Sequence, residues 1–215
     1  MDPSDVARKV YSKAVVVDGL NVSNWESPAV FDSLSNGGVT AINATIAVWE
    51  GYAEAMDNVA AWIRRFGERR ANLSQITGVQ DILDAKRNGK TGVILGWQNA
   101  SPIENDLDRL GLFHRLGVRI VQVTYHERNL LGNGCYERRD DGLSHFGADA
   151  VAEMNRLGIL VDLSHVGEKT TLDAIETSRK PVAFTHANAR SYHDVVRNKT
   201  DEALRALADR GGVVG

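Results

Sequence analysis

Ile159-Leu160-Val161-Asp162-Leu163-Ser164-His165 and, some fifteen residues later, Pro181-Val182-Ala183-Phe184-Thr185-His186 are two apolar runs split by a polar segment of helical character. That pattern predicts a βαβ unit with parallel strands. Each run ends in a histidine. Neighbouring parallel strands lie about 4.8 Å apart, so two imidazoles at their carboxyl ends can reach one metal ion at nitrogen distances of about 2.1 Å. Active sites of α/β proteins gather at that end of the strands. The plainer reading is two unrelated strand-end histidines, each hydrogen-bonded locally.

Outward from this unit the alternation continues. Short apolar runs at 15–18, 39–46, 91–97 and 118–124 read as four earlier strands, and 211–215 as the start of a seventh. Helical periodicity is expected over 4–13 with Ser4 as N-cap, after Pro28, over 52–71, 79–88, 106–116, 146–157 and 200–210. Strands that each feed a helix make an α/β fold with a parallel sheet. An open doubly wound sheet usually carries a glycine-rich phosphate loop after its first strand. Gly19-Leu20-Asn21-Val22-Ser23 is not one, so the expectation is a (β/α)8 TIM-type barrel. It is incomplete, with about six strands plus the start of a seventh in one domain spanning residues 1–215. A barrel left open exposes two sheet edges, which suggests a piece of a longer chain.

Composition narrows the function. The 215 residues are 43% hydrophobic and 25% charged, ordinary for a globular protein with a real core. A net charge of −3 leaves no footprint for nucleic acid or an anionic membrane. No run is long and apolar enough to span a bilayer. The single cysteine, Cys135, has no internal disulfide partner, which fits a cytoplasmic location. A small-molecule substrate and a possible homo-oligomer remain.

Several polar residues compete for a role. Asp162, three residues before His165, reads as structural or as a support to the site. His126, His145 and His193 fall in expected loops, where solvated histidines are the bland alternative, and His114 falls in a helix. The segment 125–145 is long, polar and glycine-bearing; such loops are usually functional or mobile. Arg197, followed by Asn198, can clamp a carboxylate with its planar guanidinium. Nucleophilic catalysis is poorly supported: Cys135 has no obvious base, and Ser164 and His165 face opposite ways on a strand. Gln98 and Asn99 end the third strand with amides that can orient a ligand or bind a metal weakly.

Assembled, the chain resembles the renal, or membrane, dipeptidase family of zinc peptidases over nearly its whole length. The runs that carry the likeness are Val16-Val17-Asp18-Gly19, Gly96-Trp97-Gln98, Thr124 through Asn129, Gly142 through Gly147, Asn155 through Gly158, Asp162 through Val166, Phe184-Thr185-His186 and Arg197-Asn198. The resemblance implies an eight-stranded barrel in which a hydroxide bridging two zinc ions attacks a dipeptide's amide bond. One zinc is held by a His and an Asp after the first strand, the other by two His, and a Glu after the third strand bridges them. An Arg holds the substrate carboxylate, and an acidic residue late in the chain moves protons.

Carried over residue by residue, His165 and His186 fall on the two histidine ligands and Arg197 on the carboxylate-binding arginine. Tyr125 or His126 takes the neighbourhood of a substrate-contacting histidine. Leu20 and Val22 stand where the His and Asp ligands belong, Gln98 replaces the bridging Glu, and the late acidic residue would fall beyond Gly215. The resemblance thus implies a divergent member, for which one zinc, at His165, His186 and Gln98, is expected rather than two. Two outcomes stay open: a one-metal dipeptidase with Arg197, Asn198, Tyr125 and His126 on the substrate, or a non-catalytic barrel that binds a small carboxylate-bearing ligand.

Overall fold

The computed structural model describes residues 2–215. Its strands are β1 (Val17–Asn21), β2 (Ala41–Ala47), β3 (Leu73–Gln75), β4 (Thr91–Trp97), β5 (Val118–Gln122), β6 (Leu160–Asp162), β7 (Ala183–Phe184) and β8 (Val213–Val214). All join one parallel sheet in the order β1-β2-β4-β5-β6-β7-β8, with β3 paired to the start of β4. The expected count of six strands and a beginning is therefore one short. Leu73-Ser74-Gln75 is too brief and polar to announce itself, yet it pairs with Thr91 to Val93 below the point where β5 takes over that edge. The fold is the expected α/β architecture, a curled parallel sheet of incomplete TIM-type barrel form. Among the described residues β1 and β8 end the sheet without pairing to each other.

Helices α1 (Pro3–Lys13), α2 (Pro28–Asn36), α3 (Tyr52–Glu68), α4 (Val79–Arg87), α5 (Asp108–Arg115), α6 (His145–Leu157), α7 (Glu168–Thr177) and α8 (Asp201–Asp209) alternate with the strands. Asp2 rather than Ser4 caps α1, its carboxylate accepting from the Ser4 N–H at 2.9 Å. Ser144 and Thr200 cap α6 and α8 in the same way, so His145 opens a helix instead of lying in a loop. None of these helices is long and apolar enough to cross a membrane.

Strand alternation sorts the core into two layers. Ile42, Ala44, Val93, Leu95, Val121 and Val161 face outward and pack with Trp62, Phe113 and Met154 of the helices. Ile94, Ile120 and Leu160 face inward and close the lower interior with Ile76. One step further up the inward phase the residues turn polar: Gln98 and Gln122 are buried, and so is Asp162. The apolar floor thus supports a polar layer at the carboxyl ends of the strands.

Candidate active site

Asp162 is the last residue of β6 and only 1% exposed. A buried carboxylate needs several donors, and it finds four. Its Oδ1 accepts from the Ser164 N–H, the Ser164 hydroxyl and the Thr185 N–H at 3.1, 2.6 and 3.1 Å; its Oδ2 accepts from the Thr185 hydroxyl at 2.7 Å. Because the Thr185 hydroxyl proton is directed at Asp162, its oxygen is left to accept, and His186 Nδ1 lies 2.8 Å from it. His186 therefore carries its proton on Nδ1. Its Nε2 is a bare lone pair, buried and without any hydrogen-bond partner. Burial pushes the His186 pKa down to about 4 against the pull of Asp162, so the ring is neutral at physiological pH. This is the tautomer a metal-binding histidine needs, fixed by a carboxylate acting through a hydroxyl.

His165 lies beside it, the two ring centroids 4.8 Å apart. It sits in the turn that follows β6, so strand alternation with Ser164 does not govern its direction. Burial, reinforced by the Arg197 cation, lowers its pKa to about 2. Its Nδ1 is 3.3 Å from His126 Nδ1, and its ring contacts Tyr125 at 4.2 Å. His126 in turn stacks on Tyr136, centroids 4.3 Å apart and planes 9° from parallel.

The loop from Tyr125 to Ser144 is tied down, and it brings His126 into this group. Gly134 bridges to Val166, the Cys135 N–H donates to the His165 carbonyl at 2.9 Å, and the Tyr136 N–H donates to the His126 carbonyl at 2.9 Å. His126 is held at φ 58°, a left-handed backbone that a non-glycine residue rarely adopts. Gly134 makes this possible, since a Cβ there would fall 2.1 Å from the His126 carbonyl carbon. Cys135, for which the sequence offered no base, has its Sγ 3.6 Å from His126 Nδ1. Burial raises the thiol's pKa, and burial with Arg197 lowers that of His126, so the pair is neutral. No spacing signal marks this contact, because it depends on how a ten-residue loop folds back.

Arg197 lies under the two histidines. Its Nη1 donates to the Ser164 carbonyl at 2.6 Å and its Nη2 to the His186 carbonyl at 2.5 Å, leaving three of its five N–H donors for other partners. Asn198 turns away from the pair: its amide donates to the His193 carbonyl at 2.7 Å. The side-chain amide nitrogen of Gln98 donates to the Thr45 hydroxyl on the β2 side at 3.2 Å, and its main-chain carbonyl accepts from the Gln122 amide of β5. Leu20 and Val22 offer no ligand, and the β1 backbone crowds the interior there. A Cβ on Gly19 would lie 2.4 Å from the Thr185 carbonyl oxygen.

The unpartnered Nε2 of His186 and the neutral ring of His165 are groups that could bind a cation. Among the described residues, no group of three His, Cys, Asp or Glu side chains is arranged to hold a metal.

Known proteins place this site in context. The chain is 38% identical over 136 residues to dipeptidase tcpJ of Claviceps purpurea, a match covering 62% of this chain and 32% of that protein. An uncharacterized dipeptidase of Schizosaccharomyces pombe is 35% identical over 133 residues, again 32% of its length, so the chain's match spans about a third of these curated relatives. The crystal structure of an amidohydrolase from Pseudomonas aeruginosa superposes with a TM-score of 0.94 at 42% identity, covering 97% of this chain and 63% of that one. A metallopeptidase from Rhodobacter sphaeroides, solved with a phosphinate mimic of L-Ala-D-Ala, shares the fold at 23% identity, with a TM-score of 0.83 over 93% of this chain and 72% of that one. The model of the membrane dipeptidase family, peptidase family M19, matches residues 7–215, and the chain belongs to that family.

Proposed function

We propose that residues 1–215 form one barrel domain of a metal-dependent hydrolase that cleaves the amide bond of dipeptides or similar small amides. In this reading His165 and His186 hold a single zinc ion, and Gln98 orients the site from the β2 side. The observation that carries it is the bare, buried Nε2 of His186 beside a second neutral imidazole. A cation held there would polarise the amide carbonyl and ionise a bound water. The rest is the work of the chain's own groups. Asp162 and Thr185 fix the His186 tautomer, burial keeps both rings neutral, and the remaining donors of Arg197 receive the substrate carboxylate. Tyr125 and His126 border the substrate on the opposite side of His165, and Asn198 supports the loop that carries Arg197.

A second reading has its own support. Leu20, Val22 and Gln98 remove the charged ligands of the family pattern, which favours a barrel that binds a carboxylate-bearing ligand without cleaving it. Metal analysis combined with a dipeptide-hydrolysis assay separates the two. One zinc per chain, with turnover lost in His186→Ala and on chelation, supports the hydrolase. Binding of a dipeptide with no metal and no turnover supports the second reading and ends the first.

A further inference from the structure

Large apolar side chains on a protein surface are ordinary when scattered, and informative when they adjoin a site. Trp49 is 60% exposed and stands in the segment that follows β2. It is not on a loose loop. The Glu50 carboxylate accepts from the N–H groups of both Val48 and Trp49, at 2.7 and 3.0 Å, and the Glu50 carbonyl accepts from the Ser101 hydroxyl at 2.8 Å. The indole packs edge-on against Tyr125, centroids 5.1 Å apart, and Tyr125 reaches the His165 ring at 4.2 Å. A continuous aromatic path therefore runs from solvent to the imidazole pair.

Direction follows from the strand order. Arg197 lies on the β6–β7 side, under the carbonyls of Ser164 and His186. Tyr125 follows β5 and Trp49 follows β2, on the other side of His165. Two extended residues span at most about 7 Å. A dipeptide whose carboxylate rests at Arg197 and whose amide lies over the imidazoles directs its first residue towards Tyr125 and the indole.

We infer that Trp49, pinned by Glu50 and backed by Tyr125, is the wall that receives the side chain of the substrate's amino-terminal residue, selecting large apolar or aromatic residues there. The inference rests on the dipeptidase reading and names the substrate class for that site. Trp49 is a specificity-determining residue in this account and takes no part in proton or bond transfer.

The test compares Phe-Gly, Gly-Phe and Gly-Gly on the wild-type protein, Trp49→Ala and Trp49→Phe, by kcat/KM and, in parallel, by calorimetric binding. Burying an aromatic side chain is worth at least about tenfold. Wild type should favour Phe-Gly over Gly-Gly by that factor, and over Gly-Phe as well. Trp49→Ala should remove the preference through KM, lowering kcat/KM for Phe-Gly about tenfold more than for Gly-Gly, and Trp49→Phe should restore most of it. Equal losses on all three peptides, no loss on any, or a preference for Gly-Phe overturns the proposal. Should peptides bind without turnover, the hydrolase reading fails alone and the binding series decides the role of Trp49. If none binds and none is cleaved, both fall.

Discussion

The two sides of the barrel mouth are built differently. At the ends of β6 and β7 the N–H and hydroxyl groups of Ser164 and Thr185 converge on Asp162, beside two neutral imidazoles. Within β1, Asp18 accepts from the Leu20 N–H and the Asn21 amide where the pairing with β2 shifts register, and Val22 beyond the strand is 66% exposed. One side is a buried network in which structure and site are the same atoms; the other is an irregular strand whose polar contacts are local. The difference shows which parts of a metal centre are easily lost. A ligand at the rim is a single side chain that can be exchanged without disturbing the core. A carboxylate that satisfies four buried donors cannot be exchanged without leaving them unpaired.

Removing that carboxylate should give the largest effect. Asp162→Ala strands two hydroxyls and two N–H groups in a dry interior, at a cost of about 3–5 kcal/mol. The expected result is a large fall in the urea midpoint or failure to fold, with Asp162→Asn milder because the shape and part of the acceptor set survive. A loss under about 1 kcal/mol in Asp162→Ala means the network does not hold the two strands together. Leu20→Ala, its counterpart across the mouth, should cost clearly less, since Leu20 is only partly buried.

Two glycines sharpen the contrast. Gly19→Ala and Gly134→Ala each drive a Cβ into backbone, against the Thr185 oxygen and the His126 carbonyl respectively. Each should destabilise by about 1–3 kcal/mol. Their effects on the site should differ, because Gly134 lets His126 reach His165 and the loop that holds it hydrogen-bonds to the His165 carbonyl. Zinc titration should show affinity weakened more in Gly134→Ala than in Gly19→Ala. Equal affinities would show that the loop carrying His126 does not position His165. A third variant acts on the tautomer alone. Thr185→Val keeps the volume but removes the acceptor for His186 Nδ1–H, and second-layer losses of this kind cost about 10–100-fold in metal affinity. Unchanged zinc affinity would remove Thr185 from the account.

Much of the β6–β7 side was legible in the sequence because strand period and strand-end residues fix it. The runs ending at His165 and His186 predict a βαβ unit, and β6 pairs with β7 in parallel. What periodicity cannot read is geometry past the last paired residue. Ser164 and His165 lie in a turn after β6, so the facing rule applied to them had no strand to act on. The approach of Cys135 to His126 depends on Gly134 and a left-handed residue, and a string of letters carries no sign of φ. Asn198 shows the converse: its place beside Arg197 in the chain suggested a shared role, but its amide holds the loop instead.

The smallest change at neutral pH is expected at Lys199, which anchors the Arg197 loop to the β6–β7 side. Its Nζ is buried and donates to the Val166 carbonyl at 2.8 Å and the Thr171 hydroxyl at 3.2 Å, above the Phe184 ring. Burial, with Arg197 nearby, lowers its pKa to about 7, against the opposing influence of Glu168, Cys135 and Asp162. The unfolded chain keeps this proton up to about pH 10.4. Between about 7 and 10 the unfolded state therefore binds more protons, and stability rises with pH through that window. Below it both states are charged and the contribution is flat and least favourable. Lys199→Met removes the titration, while the Thr171 hydroxyl, already 3.4 Å from the Val166 carbonyl, can satisfy it. Replacing a buried charge by an apolar side chain is often neutral, so the two proteins should be close in stability at pH 7. From pH 7 to 9 the wild type should gain about 1–2 kcal/mol on the variant in urea unfolding. Parallel curves across that range would mean that Lys199 stays protonated in the folded protein, and that its cation, rather than a neutral amine, underlies the Arg197 loop.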